Sequence, residues 1–323
     1  MIFTKVNNCV CNSAWKREFE KYQKERIIAG YIGKQKLLSE EETHNTISDG
    51  INSGKGFWAS RFGETELGTI VEVLKGQYVP NYRMLWLRYR SLCNNAGFFP
   101  VSPPLIWKYV ELMLYEMPGI DIHGVWPLYM ENYFRELYFP NAKCACYLDF
   151  EPYSAKEYFK PWTSALKGKK VLVIHPFSEL IEEQYSNNRE RIFNNSILES
   201  DDILPEFELH TIKAVQTIAG NKDNRFGNWF EALDWMTEQC ERIDYDVAIL
   251  GCGAYGFPLA ARIKRQGKAA IQLCGATQIL FGIMGKRWES IPTISQMQNE
   301  YWVRPGEREK IKKQCRVEEG CYW

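Results

Sequence analysis

Two acidic residues at one strand–helix junction have the types and spacing to bind a divalent cation. The sequence SRFGETE, residues 60–66, separates a short apolar run from a segment of helical periodicity. Because the junction breaks helical spacing, Glu64 and Glu66 can converge on Mg²⁺ or Mn²⁺, which prefer oxygen ligands and leave positions open for phosphate. Arg61 would face that phosphate, and Gly63 would let the backbone approach it closely. Alternatively, both acids simply occupy the first helical turn, where the helix dipole favours them.

A second junction has the spacing of a phosphate-binding loop. Residues 251–256 read GCGAYG, a GxGxxG pattern that follows an apolar run and opens a helical segment. Backbone N–H groups in this position bind phosphate, supported by the helix dipole. The candidate residues are Gly251, Gly253, Ala254, Tyr255 and Gly256. The alternative is that these glycines serve tight packing of the strand against the helix.

The acid that would complete a dinucleotide site is missing. Such sites hold the ribose with a carboxylate about 20 residues after the loop. No Asp or Glu occurs between Asp246 and Glu289, and the end of the next predicted strand offers Gln272 and Cys274. Either would contribute a neutral hydrogen bond of about 1 kcal/mol, less than a charge-assisted bond. We therefore expect no NAD(H) or NADP(H) binding, and we expect binding of a nucleoside diphosphate.

Three further positions carry groups with possible chemistry. His175 follows the aliphatic run VLVI, where it can bind phosphate, act as a base or cap the loop. Arg287, beside Trp288, suits either a phosphorylated ligand or the C-terminus of a helix. Asp121 and His123 form a DxH pair that can ligate a metal, although this spacing is more typical of an ordinary polar strand face.

These residues can meet only if the segments around them fold into one sheet. From residue 56 onward, short apolar runs alternate with segments of helical periodicity. The runs predicted as strands are GFWASRFG, IDIHGVW, KCACYLDF, KKVLVIHPF, FELHTIKAVQ, DVAILGCG and AAIQLCG. Such alternation is typical of parallel strands joined by crossover helices. We predict an α/β fold, a Rossmann-like parallel sheet with helices on both faces, whose ligands bind beyond the carboxyl ends of the strands.

Length and charge constrain the organisation of the chain. The 323 residues divide into a charged, solvated helical lead-in (1–52), the α/β domain (53–290) and a C-terminal tail (291–323) that packs across the sheet or extends to a partner. Forty basic and forty acidic residues give zero net charge, so we expect no general nucleic-acid binding. No apolar run approaches the roughly 18 residues of a membrane span, and the N-terminus has no signal-peptide core.

The cysteines indicate a reducing compartment. The chain has ten cysteines, without a CxxC pair and without the spacing of a disulfide framework. Scattered cysteines of this kind are typical of reduced thiols in a cytosol. We therefore expect a cytoplasmic protein.

Two segments resemble a known enzyme family. Residues 61–66, RFGETE, resemble the RFGDGE segment of the GT-D glycosyltransferases. Residues 246–272, DVAILGCGAYGFPLAARIKRQGKAAIQ, resemble that family's final Rossmann-like unit, and the order of elements is similar over residues 53–290. The family's Asp matches Glu64 and its Glu matches Glu66, so this chain departs from the DxE motif at the first acid. It also has Thr65 where Gly is common.

The resemblance implies a nucleotide-sugar-dependent glycosyltransferase. A sugar would pass from a nucleoside diphosphate donor, such as a UDP-sugar, to a glycan or glycoconjugate acceptor, with Mn²⁺ or Mg²⁺ and basic residues offsetting charge on the leaving diphosphate. Glu64 or Glu66 would hold the metal or act as the base. Trp58 or Trp126 would stack on the base or the sugar. The donor-binding candidates are Arg61, Gly63, His175, Gly251, Gly253, Ala254, Tyr255, Gly256 and Arg287.

Two alternatives remain open from the sequence. A Rossmann methyltransferase or oxidoreductase would use residues 251–256, and the missing ribose acid argues against it. A non-catalytic sugar-binding protein of surface-polysaccharide assembly would keep the fold without the DxE chemistry. The replacement of Asp by Glu64 favours this second alternative.

Overall fold

A seven-stranded parallel sheet forms the centre of the molecule. The structure is a computed structural model that describes residues 30–77, 81–156 and 158–323. The strands are β1 (Tyr31–Ile32), β2 (Gln35–Lys36), β3 (Phe57–Ser60), β4 (Ile122–Val125), β5 (Lys143–Cys146), β6 (Lys170–His175), β7 (Glu208–Lys213), β8 (Val247–Leu250) and β9 (Ala269–Gln272). Strands β1 and β2 form a separate antiparallel pair, and the large sheet has the order β5-β4-β3-β9-β8-β6-β7. Every neighbouring pair in the large sheet is parallel.

Helices cover both faces of this sheet. They are α1 (Glu40–Asn52), α2 (Glu64–Gly76), α3 (Tyr82–Ala96), α4 (Pro103–Glu116), α5 (Glu131–Tyr138), α6 (Ser178–Asn188), α7 (Ser200–Ile203), α8 (Trp229–Glu241), α9 (Gly256–Arg265), α10 (Ala276–Leu280) and α11 (Pro292–Ser295). None of these described helices combines the length and the apolarity needed to cross a membrane. The predicted α/β class is confirmed, and each of the seven predicted runs contains one strand of the sheet.

The alternation of side chains along the strands explains the two covering layers. Leu172 and Ile174 of β6 pack in the core that includes α2, α3, α4, α8 and α9. Val171 and Val173 of the same strand point to the other face and pack in the core that includes α1, α6 and α10. A strand buried on both faces must be apolar at every position, which is why VLVI is so clear a strand signal.

The order of the strands creates a crevice at the carboxyl edge of the sheet. Strand β6 lies between β7 and β8. The chain runs from β6 to β7 at the edge of the sheet, and it later crosses to the other side of β6 to form β8 and then β9. The segment from β3 to β5 extends the sheet in the opposite direction from β9. Connections that diverge from neighbouring strands leave space between them, and ligands of open α/β sheets bind in that space.

The N-terminal part of the chain differs from the expected solvated helix. Residues 1–29 of the predicted lead-in lie outside the described residues. The described part begins with the β1–β2 pair and continues into α1, where Ser39 and Glu42 form a reciprocal capping box. Ile47 and Ile51 of α1 are buried in the core of the sheet. The acidic run at residues 40–42 therefore occupies the first turn of a helix that packs on the domain.

Helix α3 is an element that the sequence analysis did not predict. It begins at the capping residue Asn81, whose side chain accepts a hydrogen bond from the backbone N–H of Met84. Its C-terminal half buries Tyr89, Leu92, Cys93 and Ala96 in the core. Its N-terminal half exposes apolar side chains, so no clear 3.6-residue period separates a buried face from a polar face.

The C-terminal tail packs across the carboxyl end of the sheet, one of its two expected placements. The Gln278 side chain donates a hydrogen bond to the carbonyl of Tyr322 at 3.0 Å. The backbone N–H of Lys286 donates to the carbonyl of Trp323 at 3.2 Å, and the Trp323 ring lies 5.9 Å from the ring of Phe177. The tail thus closes one side of the crevice.

Candidate functional site

A cavity of about 960 Å³ opens at the carboxyl edge of the sheet. It has the size of a typical small-molecule site. Its walls come from the segments that follow all seven strands of the sheet. One lining residue after each strand, from β3 to β9 in chain order, is Arg61, Trp126, Tyr147, Pro176, Val215, Gly251 and Cys274.

The cavity brings together most of the residues that the sequence singled out. Those that line it are Arg61, Gly63, Glu64, Glu66, His175, Gly251, Gly253, Tyr255 and Arg287. Ala254 and Gly256 are buried behind the loop and do not line the cavity. Of the two candidate stacking residues, Trp126 lines the cavity. Trp58 is wholly buried in the core against Phe257, so it cannot stack on a ligand.

Asp121 and His123 do not form a metal pair. Asp121 lies at the amino end of β4, where its carboxylate accepts a hydrogen bond from the backbone N–H of Trp58 and contacts Lys264 at 2.7 Å. His123 is fully buried, with its Nε2 2.9 Å from a carboxylate oxygen of Glu131. Both residues therefore have structural roles, and His123 is buried instead of lying on the polar strand face that the alternative interpretation predicted.

The acidic junction places its two carboxylates in different surroundings. Helix α2 begins at Glu64, with Gly63 as the N-cap residue, so both acids lie in the first turn. The Glu64 carboxylate is half exposed and lies 2.7 Å from the Arg88 guanidinium. The Glu66 carboxylate folds back over Gly63, where a Cβ atom would collide with it. Burial raises the pKa of Glu66. Glycine at position 63 thus makes room for this carboxylate, whereas its φ of −84° is one that any residue adopts.

A divalent cation fits this junction only with ligands from outside the protein. Glu66 offers carboxylate oxygens at the cavity, whereas Glu64 is engaged by Arg88. In the part of the chain that the structure describes, no group of three or more His, Cys, Asp and Glu side chains is placed to hold a metal. Mg²⁺ often takes only one or two protein carboxylates and completes its shell with phosphate and water. The residues present therefore suit a cation that binds together with a diphosphate.

The glycine-rich loop packs closely against its neighbours. A 3₁₀ turn over Gly253–Tyr255 separates β8 from α9, which begins at Gly256. A Cβ atom at Gly251 would lie 2.5 Å from the His175 ring, and one at Gly256 would lie 2.9 Å from the amide of Gln272. The packing interpretation of these glycines is therefore visible in the structure. The backbone N–H of Gly251 donates to the carbonyl of Ile174 at 2.9 Å, so it is not available to a ligand. Gly253 also lines the cavity, and its backbone N–H remains the candidate for phosphate binding in this loop.

Gly253→Ala is expected to lower the free energy of unfolding by about 2–4 kcal/mol, the sum of left-handed strain and overpacking. The residue has a φ of 59°, and a Cβ atom would lie 2.9 Å from the carbonyl oxygen of Ala96. Gly267→Ala is the matched control, because Gly267 has a φ of 81° with nothing within 4 Å of its Cβ position. The free energies of unfolding of both variants, measured with denaturant, separate the cost of the left-handed backbone conformation from the cost of the contact with Ala96. Equal losses would show that the Ala96 contact yields without cost.

Arg61 is at the centre of a cluster that only the structure reveals. Its Nη2 donates a hydrogen bond to the carbonyl of Leu273 at 3.3 Å, and its guanidinium lies 5.2 Å from the centroid of the Tyr147 ring. The Tyr147 ring in turn stacks on Trp126, with 5.2 Å between centroids and 26° between planes. Trp126 is 38% exposed. A cation and two aromatic rings therefore form one wall of the cavity.

Glu151 is a second feature of this wall that the sequence analysis missed. It lines the cavity, and its carboxylate accepts a hydrogen bond from the Tyr153 hydroxyl at 2.9 Å. Burial raises the pKa of Glu151, while Arg61 acts in the opposite direction. A carboxyl group with a raised pKa in a cleft has the properties of a general base. Its only signal in the sequence is a position shortly after the predicted strand KCACYLDF.

His175 and Arg287 line the cavity and also bind parts of the protein. The Nδ1 of His175 accepts a hydrogen bond from the backbone N–H of Phe177 at 3.0 Å, so the ring caps its own loop. Burial lowers the pKa of His175 to about 3, which keeps the ring neutral. Arg287 forms an ion pair with Glu318 and lies 4.9 Å from the centroid of the Tyr322 ring. Arg287 therefore holds the C-terminal tail beside the cavity.

Comparisons of the chain with protein-family models, with curated proteins and with solved structures found no match. The resemblance to the GT-D glycosyltransferases thus rests on residues 61–66 and 246–272, and on the order of elements around them. The function must be inferred from the geometry of the cavity.

Proposed function

We propose that this chain transfers a sugar from a nucleoside diphosphate donor to a glycan or glycoconjugate acceptor. One observation carries the proposal: the RFGETE segment, with Arg61 at its start, and the glycine-rich loop, far apart in the sequence, line one cavity together with an aromatic wall. A nucleotide sugar needs positive charge for its diphosphate, and it needs flat apolar surfaces for its base and sugar. The cavity offers both.

The donor diphosphate would lie between Arg61 and the start of α2. Arg61 offers a planar array of N–H donors that matches phosphate oxygens. The N-terminus of α2 lies at the same place and adds the positive end of the helix dipole. A divalent cation, when bound, supplies further positive charge to the leaving diphosphate. Glu66 is the residue that would hold it, and Glu64 would join only after leaving Arg88.

The acceptor hydroxyl would lie near Glu151. As the acceptor oxygen bonds to the anomeric carbon of the sugar, it must lose its proton, and Glu151 can accept it. The bond from the anomeric carbon to the diphosphate breaks, and its electron pair leaves with the diphosphate. Arg61 faces this growing negative charge, which is the main electrostatic demand of the reaction. The stacked pair of Trp126 and Tyr147 would hold the base or the sugar.

A second candidate function is non-catalytic binding of a nucleotide sugar. The observation that favours it is the ion pair of Glu64 with Arg88, which withdraws one of the two motif acids from the cavity. Such a protein would bind the donor with similar affinity and would release no free nucleoside diphosphate when an acceptor is added.

The direct test is calorimetry with a panel of UDP-sugars and related nucleotide sugars, with and without Mn²⁺. Glu66→Gln keeps the size of the side chain and removes its charge, so we expect metal-dependent binding to weaken by about tenfold or more. Glu64→Gln is the matched control. It should change affinity by less than about threefold, because Arg88 already engages Glu64.

Two results would contradict the proposal. Equal affinity of Glu66→Gln and the parent protein would remove the acidic junction from the donor site. Saturable NADH binding by a protein that responds to no nucleoside diphosphate would replace the transferase assignment with an oxidoreductase one, despite the absence of an acid after the glycine-rich loop.

A further inference from the structure

The C-terminal tail contributes a carboxylate to the cavity. Glu318 lines the cavity, and one of its carboxylate oxygens forms an ion pair with the guanidinium of Arg287. The Glu318 side chain is nevertheless 54% exposed. Because a carboxylate has about four lone-pair positions, Glu318 can accept further hydrogen bonds from a ligand while it stays paired with Arg287.

The contacts of this pair place it at the carboxyl end of β9. The Arg287 guanidinium lies 4.9 Å from the centroid of the Tyr322 ring. The Tyr322 ring packs on Gly275, where a Cβ atom would lie 3.2 Å from it. Gly275 lines the cavity and follows β9 by three residues. The tail therefore brings the carboxylate of Glu318 to the end of this strand.

The end of β9 is also where the chain lacks an acid of its own. The strand that follows a glycine-rich loop usually ends at the acid that holds the ribose of a nucleotide. Strand β9 ends at Gln272, and the oxygen of its side-chain amide accepts a hydrogen bond from the Ser60 hydroxyl. Glu318, from a distant part of the chain, thus supplies a carboxylate beside the position where the sequence has none.

A strained turn holds Glu318 in this place. Three consecutive residues have left-handed φ angles: Glu318 at 44°, Glu319 at 58° and Gly320 at 83°. Only glycine adopts such angles without steric cost. Strained residues that carry side chains are concentrated at ligand sites, where the surrounding contacts hold them. In this turn the Glu318 carboxylate faces Arg287 and the cavity, whereas the Glu319 side chain is 86% exposed and pairs with Lys286.

The charges of the pair favour hydroxyl groups over a phosphate. A phosphate at Arg287 would face the carboxylate of Glu318, so the anionic part of a ligand is better placed at Arg61. A hydroxyl group instead donates a hydrogen bond to the carboxylate, and two adjacent hydroxyls can donate to both of its oxygens. In a nucleoside diphosphate, the two adjacent hydroxyls belong to the ribose.

The position of the ribose adjoins the proposed position of the diphosphate. Arg61 donates a hydrogen bond to the carbonyl of Leu273, two residues before Gly275. Strand β9 lies between β3, which leads to Arg61, and β8, which leads to the glycine-rich loop. One nucleoside diphosphate can therefore contact Arg61 with its phosphates and the tail with its ribose.

We propose that Glu318, held by Arg287, binds the ribose hydroxyls of the nucleoside diphosphate in place of the acid that is absent after β9. The inference rests on the proposed nucleoside diphosphate donor and extends it, because it assigns the ribose to the C-terminal tail. The tail is then part of the nucleotide site as well as a cover for one side of the cavity.

The test is calorimetry of the full chain with UDP and with 2′-deoxy-UDP, each in the presence of Mn²⁺. UDP carries no donor sugar, so its ribose is the only source of adjacent hydroxyls. The parent should bind 2′-deoxy-UDP about tenfold more weakly, because a charge-assisted hydrogen bond is lost. Glu318→Gln should bind UDP about tenfold more weakly than the parent does, and its affinities for the two ligands should agree within about threefold.

Glu319→Gln is the matched control. It removes the same charge from the adjacent residue of the same turn, and Glu319 pairs with Lys286 at 3.3 Å outside the cavity lining. This variant should bind both ligands as the parent does. The comparison of the two ligands on the parent needs no variant, so it tests ribose recognition independently of any effect of Glu318→Gln on the packing of the tail.

Three results would overturn the inference and keep the proposed function. The first is equal binding of UDP and 2′-deoxy-UDP by the parent. The second is a Glu318→Gln protein that discriminates between the two ligands as the parent does, which would place the ribose elsewhere. The third is tighter UDP binding by Glu318→Gln, which would place a phosphate at Arg287. A parent that binds no nucleoside diphosphate would overturn both this inference and the proposed function.

Discussion

Glu151→Gln is expected to lower kcat for glycosyl transfer by about 10²–10⁴-fold, with little change in donor affinity. The variant keeps the shape of the side chain and removes the group that accepts the proton of the acceptor hydroxyl. Initial rates and donor binding measured on the same preparation separate these two effects. Full activity in Glu151→Gln would assign the base to another carboxylate, with Glu66 as the next candidate.

The pH dependence of the transferase activity is an independent test of Glu151 as the base. Burial raises the pKa of Glu151, so its basic form is lost at a higher pH than for an exposed glutamate. Activity of the parent should therefore fall as the pH decreases through this raised pKa. Tyr153→Phe removes the hydrogen bond that favours the carboxylate, so it should move the fall to higher pH while the maximum of kcat is largely kept. A merely structural role of Tyr153 would leave the position of the fall unchanged.

Arg61→Met is expected to lower kcat/KM by about 10²–10³-fold, because it removes the cation that faces the leaving diphosphate. Arg61→Lys should recover only part of the activity, since a single ammonium cannot match two phosphate oxygens with a planar fork. The melting temperature of Arg61→Met should also fall, because the half-buried carboxyl of Glu151 loses its nearby cation.

Arg287→Met is the control for this second experiment. Arg287 also lines the cavity, but its charge is offset by Glu318 of the tail. We expect a smaller effect on kcat/KM than for Arg61→Met. An Arg61→Met protein that binds UDP-sugars as the parent does would place the diphosphate elsewhere in the cavity.

The success of strand prediction has a local cause. Residues 171–174, VLVI, are apolar at every position because both faces of β6 are covered, and this property is written in adjacent residues. Helix α3 escaped prediction for the opposite reason. Hydrophobic periodicity assigns the apolar residues of a helix to its buried face, but Trp86 and Leu87 of α3 are exposed. The apolar residues of this helix therefore do not mark a single buried face.

The residues of the candidate site could likewise be predicted only where a local sequence pattern marks them. The RFGETE segment and the glycine-rich loop were found because a strand exit followed by a helix has a recognisable local pattern. Glu151 carries no such pattern, since its significance comes from Tyr153 beside it and from Arg61, which approaches from another part of the chain. The pairing of Glu64 with Arg88 likewise depends on how α3 packs against α2.

The sequence by itself determined the fold class, the seven strands and the edge of the sheet at which chemistry is expected. These features follow from periodicity and burial, which act over a few residues. Only the tertiary structure decided the order of the strands, the withdrawal of Glu64 to Arg88 and the assembly of Arg61, Tyr147 and Glu151 into one wall. Contacts between distant segments depend on the packing of whole helices against the sheet, and the identity of a residue does not specify which distant side chain it will meet.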